Sequence, residues 1–201
     1  NSGKSSLLNA LAEYIGKRER VITIEDSAEL QLFHVENLVR LETRNANMEG
    51  ENEITMQDLI KASLRMRPDR IIVGEVRGAE AMSMLQALST GHSGSVSSIH
   101  ANSCRDALRR LETMVLMGMD MPLAAIQGLI ASSVDILIHL GRLTTGKRKI
   151  LEICEIKDYS RAEYDIRTLF QYKAGQTESL EMTGKLFHTE KLKSYGQYEN
   201  Y

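Results

Sequence analysis

The chain opens with Asn1-Ser2-Gly3-Lys4-Ser5-Ser6, which matches the second half of the phosphate-loop pattern G-x-x-x-x-G-K-[ST]. Gly3 would let the backbone approach a phosphate, and the amides of Ser2 to Ser6 at a helix start would favour an anion. Lys4 could reach β- and γ-phosphates, and the Ser5 hydroxyl could ligate Mg²⁺. Two further strings carry acids. Ile22-Thr23-Ile24-Glu25-Asp26 is an apolar run ending in two carboxylates, with Glu29 shortly after. Arg70-Ile71-Ile72-Val73-Gly74-Glu75 is another, ending in one. Adjacent carboxylates at a strand end are costly unless they meet a cation or a hydrogen-bond network. His92 and His100 bracket a third apolar stretch within Thr90 to Asn102.

These groups suit phosphoryl transfer, which needs cations around the γ-phosphate and a carboxylate near the attacking water. The opening string also resembles the phosphate loop of translation-factor-like GTPases. Those need D-x-x-G for the γ-phosphate and N-K-x-D for guanine. No Asp here has Gly three residues on, and no Asn has Asp three residues on. The guanine-reading apparatus is absent.

The positioning elements follow from periodicity. A helix is predicted from about Ser5 to Lys17, then a strand over Val21 to Ile24 and another over Val39 to Thr43. Asn45 to Glu53 reads as a loop. Thr55 can cap a helix reaching about Arg67, where Pro68 stops it. Arg70 to Glu75 is a strand, Ala79 to Leu88 a helix and Ser95 to Ile99 a strand. Ser103 and Asp106 make a capping-box-like start for the next helix. Pro122 opens another, to about Ser132, before a strand over Val134 to Leu140. Then Ile150 to Ile156 and Tyr164 to Tyr172 alternate, as in a small antiparallel appendage. From Gly175 the chain is polar, and a loosely ordered tail is expected. Helices alternating with buried strands indicate an α/β fold whose mostly parallel sheet is covered on both faces. Ligands on such sheets bind at the carboxyl ends of the strands, where the acids and histidines fall.

Composition limits the rest. The 201 residues suffice for one substantial α/β domain plus a small appendage. A net charge of -2 gives no global basic excess of the kind that drives nucleic-acid binding. No apolar run approaches the roughly 20 residues of a membrane-spanning helix. Cys104 and Cys154 lie far apart in sequence and in no metal spacing, as two reduced thiols would. The chain starts without Met and already inside a motif, so it reads as a fragment. The first Gly of the loop and its strand would then precede Asn1.

In this order, NSGKSS, TIEDSAEL, IIVGEVRG and TGHSGSVSSIHANS resemble the phosphate loop, Asp box, Gly-Glu variant of the Walker B strand and His box of the type II/IV secretion traffic ATPases. VRLETR, LRMRPDRIIVGEVRGAEA and RDALRRLETMVLM resemble in particular the CpaF-like branch that serves tight-adherence (Flp) pilus systems. The match spans about Asn1 to Glu155. The resemblance implies a RecA-like ATPase core over residues 1–157, with a β appendage and tail over 158–201. It implies ATP and Mg²⁺ as ligands, with Mg²⁺ held by Ser5 and, through water, by Glu75. Glu25 or Glu75 would act on the attacking water, an alternative left open here. His100 and His92 would sense or position the γ-phosphate. The family forms hexameric rings in the cytoplasm, peripheral to the inner membrane, on a membrane platform protein. An N-terminal domain is expected before Asn1.

Two readings from other classes compete. One is a RecA-like nucleic-acid motor, although no nucleic-acid partner is expected, because seven Tyr and three Phe give no stacking groove to point at. The other is a nucleotide-gated scaffold without useful turnover. In the resembled family, arginines cross subunit interfaces to neutralise the γ-phosphate. The candidates here are Arg40, Arg44, Arg65, Arg67 and Arg77. A shared site has a kinetic consequence: the specific ATPase activity of the full protein should rise with protein concentration as rings assemble. Steady-state rates strictly proportional to concentration, down to the monomeric range, would remove the arginine in trans.

Overall fold

The structure is a computed structural model that describes residues 3–92, 94–160, 163–173 and 179–190. Its first sheet is parallel, with strands β1 (Arg20–Glu25), β2 (Asn37–Glu42), β3 (Arg70–Val73) and β4 (Val96–Ser97) in the order β2-β1-β3-β4. Central β1 pairs Ile24 with Leu41 on one side and with Val73 on the other. That register sets the carboxyl ends of β1 and β3 level with each other. Because helices cover both faces, β1 is buried along almost its whole length.

The pleat divides the core in two. Ile22, Ile24, Ile71 and Val73 face one side, packed with residues of α2 (Met56–Ser63), α3 (Glu80–Ser89), α4 (Cys104–Gly118) and α5 (Leu123–Ser133). Val21 and Ile72 face the other side, against Leu8 and Ala12 of α1 (Lys4–Ala12) and the segment carrying Leu30, Leu32 and Val35. Local chemistry sets the helix ends. Thr55 and Asp58 form a reciprocal capping box on α2, and Ser103 accepts the Asp106 amide at the start of α4.

The second sheet is antiparallel: β5 (Ile136–Arg142), β6 (Arg148–Ser160), β7 (Glu163–Tyr172) and β8 (Leu180–Met182), in that order. Ile156 of β6 joins the larger core cluster, with Leu137, Tyr164 and Ile166 packed against it. Glu155 is buried and accepts the amides of Phe187 and His188, each at 2.7 Å.

Several expectations shift. α1 stops at Ala12 rather than Lys17, and α2 gives way after Ser63 to a 3₁₀ turn at Leu64–Met66, ending in left-handed Arg67. The strand expected over Val134 to Leu140 lies in the antiparallel sheet, paired with β6, so that sheet begins well before residue 158. The expected boundary at 157 falls inside β6 because that strand is 13 residues long and continuous. Within the tail expected from Gly175, Leu180–Met182 pairs with β7; the rest lies largely outside the described residues. Cys104 and Cys154, far apart in sequence, meet between α4 and β6, where both are buried. Among the described residues no helix is long and apolar enough to cross a membrane.

Ile24 has no exposed surface and packs at the centre of the parallel sheet. Ile24→Ala should lower the unfolding free energy by about 2–5 kcal/mol in a urea titration, because the rigid sheet cannot collapse into the void.

Candidate functional site

Four elements deliver side chains to one place. Gly3 sits at φ 96°, a left-handed conformation open to glycine, and immediately precedes α1. The amides of the first helical turn have no intrahelical acceptor, which is the usual setting for an anion. β1 ends at Glu25, β3 runs into Gly74 and Glu75, and β4 runs into Ser98 and His100. Gly3, Lys4, Ser5, Ser6, Glu25, Glu75, Arg77 and His100 line a single cleft of about 450 Å³ at the carboxyl ends of the parallel strands.

His100 is the crossing point of this cleft. Lys4 Nζ lies 3.0 Å from its Nε2 and 3.2 Å from its Nδ1. Glu75 Oε1 lies 3.1 Å from Nε2. A cation, an imidazole and a carboxylate from three different elements thus meet at one ring. Ser5 donates its hydroxyl to Glu29 Oε2 at 3.0 Å, which makes Glu29 part of the site.

Glu25 is differently placed. It is 5% exposed, and its Oε2 accepts the amides of Glu29 at 2.9 Å and Leu30 at 3.0 Å. Its side chain crosses directly over Gly74, where a Cβ would lie 3.1 Å from Glu25 Cγ. The glycine in place of the usual acid follows from this crossing, since a side chain at 74 would displace Glu25. Ser98 holds the same turn by donating to the Gly74 carbonyl at 2.6 Å. Neighbouring Asp26 pairs with Arg77 and accepts the Thr43 hydroxyl at 3.0 Å.

Other expected residues lie elsewhere. His92 sits before β4, at the opposite end of that strand from His100, with its Nδ1 3.2 Å from the Ala87 carbonyl of α3. It does not line the cleft. Arg77 lines the cleft of its own chain, paired with Asp26. Arg44 lies just beyond, donating to the Asn52 carbonyl at 2.9 Å. Arg40 is exposed on β2. Arg65 and Arg67 are exposed at the turn leading into β3, at the end of the sheet away from the cleft. Ser2 lies outside the described residues. The sequence reading missed Arg148. It opens β6 and lines the cleft, with its Cδ 3.4 Å from where a Cβ on Gly3 would stand. No spacing signal ties it to Lys4, because it comes from the other sheet.

Similarity to known proteins agrees with this geometry. Residues 1–192 match the family model described as Type II/IV secretion system protein. A protein of Mycobacterium tuberculosis named for conjugal transfer is 41% identical over 156 residues, 78% of this chain and 44% of its own length. The type IV secretion system protein PtlH of Bordetella pertussis is 37% identical over 157 residues, 76% of this chain and 46% of its own. The crystal structure of the VirB11 ATPase from the Brucella suis type IV secretion system, in complex with sulphate, superposes with a TM-score of 0.69 at 36% identity. That match covers 77% of this chain and 45% of the other. The chain spans about half the length of the curated relatives it matches.

The two amides on Glu25 set a stability test. Glu25→Ala strands the N–H groups of Glu29 and buried Leu30, and should cost about 1–3 kcal/mol by chemical denaturation. Glu25→Gln keeps an acceptor oxygen in place and should cost clearly less. Equal losses for both would mean that the two hydrogen bonds do not hold the loop.

Proposed function

This chain belongs to the type II/IV secretion system protein family, and on that premise we propose that it is the nucleotide-binding core of an ATP-hydrolysing secretion motor. The convergence of Lys4, Ser5, Glu75 and His100 on one polar cleft carries this reading. Gly3 and the amides of Ser5 and Ser6 would cradle the phosphates, with Lys4 on the β- and γ-groups. The Brucella suis relative, described in complex with the oxyanion sulphate, is in keeping with such a cradle.

The donor set fits Mg²⁺: the Ser5 hydroxyl and the carboxylates of Glu29 and Glu75 are hard oxygen ligands lining the same cleft. Ser5 would hold the ion directly and Glu75 through water. Bound with the nucleotide, Mg²⁺ supplies neutralisation of phosphate charge. The structure gives a reason to separate the two acids. One oxygen of Glu25 is committed to two backbone amides, so Glu25 fixes the loop that carries Glu29. The Glu75 side chain is 35% exposed and meets His100, so on this reading Glu75 would orient and deprotonate the attacking water. A γ-phosphate that takes the Lys4 donors would loosen His100 from Lys4 and leave it with Glu75. That makes His100 the γ-phosphate sensor; His92 has no part in the cleft.

The wider reading follows the family. The whole protein would form a homo-hexameric ring at the cytoplasmic face of the inner membrane, recruited by a membrane platform protein. Exposed Arg40, Arg65 and Arg67 would be free to reach a neighbouring subunit. The motifs quoted above favour the CpaF-like branch and hence pilus assembly. The cargo class stays wider, because relatives are named for conjugal transfer and for type IV secretion.

The roles separate in a paired assay on the full-length protein. Lys4→Ala should lose binding of a fluorescent ATP analogue. Glu75→Gln should keep that binding while turnover falls by about 10²–10⁴-fold. Undiminished turnover in Glu75→Gln would sink the assignment of the base, and undiminished binding in Lys4→Ala would sink the cradle.

A further inference from the structure

A second cluster of ligating side chains lies away from the cleft. Cys104 is the first residue of α4, four positions after His100, and Cys154 lies in the middle of β6. They are 3% and 2% exposed. Their sulfurs and a carboxylate oxygen of Glu152 all lie within 4.8 Å of one another. Glu152 is held between them: Oε1 accepts the Cys104 amide at 2.7 Å, and Oε2 faces the Cys154 thiol at 3.8 Å. His139 stands opposite Glu152 in the β5–β6 register, with its Nδ1 3.6 Å from Oε1. Capping α4 accounts for Oε1 but not for an oxygen turned to a buried thiol.

We propose that Cys104, Cys154 and Glu152 form a binding site for a soft divalent cation of the Zn²⁺ type, with His139 as a positioning residue for the carboxylate. Zn–S bonds of about 2.3 Å on a tetrahedron bring two sulfurs to roughly 3.8 Å, a separation inside the 4.8 Å that bounds these ligand atoms. Thiolates select such an ion over Mg²⁺, and a ligating carboxylate is itself held by an outer partner, a place His139 occupies beside Glu152. The ion would pin the start of α4, and with it the segment carrying His100, to β6. It would bind independently of the nucleotide cleft.

The test uses the full-length protein, stripped with chelator under reducing conditions and titrated with Zn²⁺ and, separately, Co²⁺. Expected are stoichiometric zinc uptake with a raised Tm, and a thiolate-to-cobalt charge-transfer band in the near ultraviolet. Cys154→Ser should abolish that band. His139→Ala should weaken zinc affinity about 10–100-fold while Mg²⁺ and ATP-analogue binding stay unchanged. The native protein's cobalt spectrum stands even if a variant folds poorly. Absence of the band, zinc uptake unaltered in a Cys104→Ser/Cys154→Ser protein, or a Cys104–Cys154 disulfide with no zinc uptake would each overturn the site. None of these outcomes bears on the Lys4 cradle.

Discussion

The imidazole of His100 stands between a cation from α1 and a carboxylate from the end of β3, and the rest of the cleft depends on that position. Lys4 at 3.0 Å and Glu75 at 3.1 Å both address Nε2. Such a contact needs the start of α1 and the exits of β3 and β4 to lie at the same level of the sheet. The parallel register supplies this. With Ile24 beside Val73 and Val73 beside Ser97, the chain leaves each strand on one side of the molecule. Every buried aliphatic residue that fixes the register therefore also fixes the site. Shifting one strand by a residue would turn its side chains to the opposite face.

Glu25 shows how strictly the space is shared. Its side chain lies across Gly74, and its carboxylate ties down the amides of Glu29 and Leu30. Leu30 in turn is buried with Leu32 and Val35 against the α1 face of the sheet. One carboxylate thus joins a strand end, a bare glycine and a core segment. Its neighbour Asp26 is engaged with Arg77 and Thr43. An acidic pair that looks expensive in the sequence is satisfied by amides on one member and by a guanidinium and a hydroxyl on the other.

Much of this was legible because strand ends announce themselves. An apolar run followed by Glu25, or by Gly74-Glu75, fixes both the strand and the residue at its exit. Lys4 and Ser5 came with a helix start, and His100 with the exit of β4. His92 misled because one His stands on each side of the strand, and composition does not distinguish a strand's entrance from its exit. Arg148 was invisible for another reason: it reaches the cleft from a different sheet, and only tertiary docking brings it beside Gly3. The alternation of Val134 to Leu140 reads equally well as the last parallel strand or the first antiparallel one. Pairing with β6 decides it, and pairing partners are not written in local pattern. The cysteine cluster was hidden in the same way, since it needs both that pairing and the seat of α4.

β6 gives the antiparallel sheet a more direct link to the cleft than an appendage would have. Arg148 begins the strand at the cleft, beside Gly3. Glu152 and Cys154 follow on it, beside the start of α4. Buried Glu155 then anchors the amides of Phe187 and His188, and Ile156 enters the main core. A strand held at so many points behaves as a stiff rod, because a well-packed interior passes displacement on rather than absorbing it. Movement of Arg148 relative to Lys4 is therefore tied to movement of the whole sheet, while α4 links the same strand to the His100 segment. The cleft and the second sheet are thus joined through two routes, Arg148 beside Gly3 and α4 against β6.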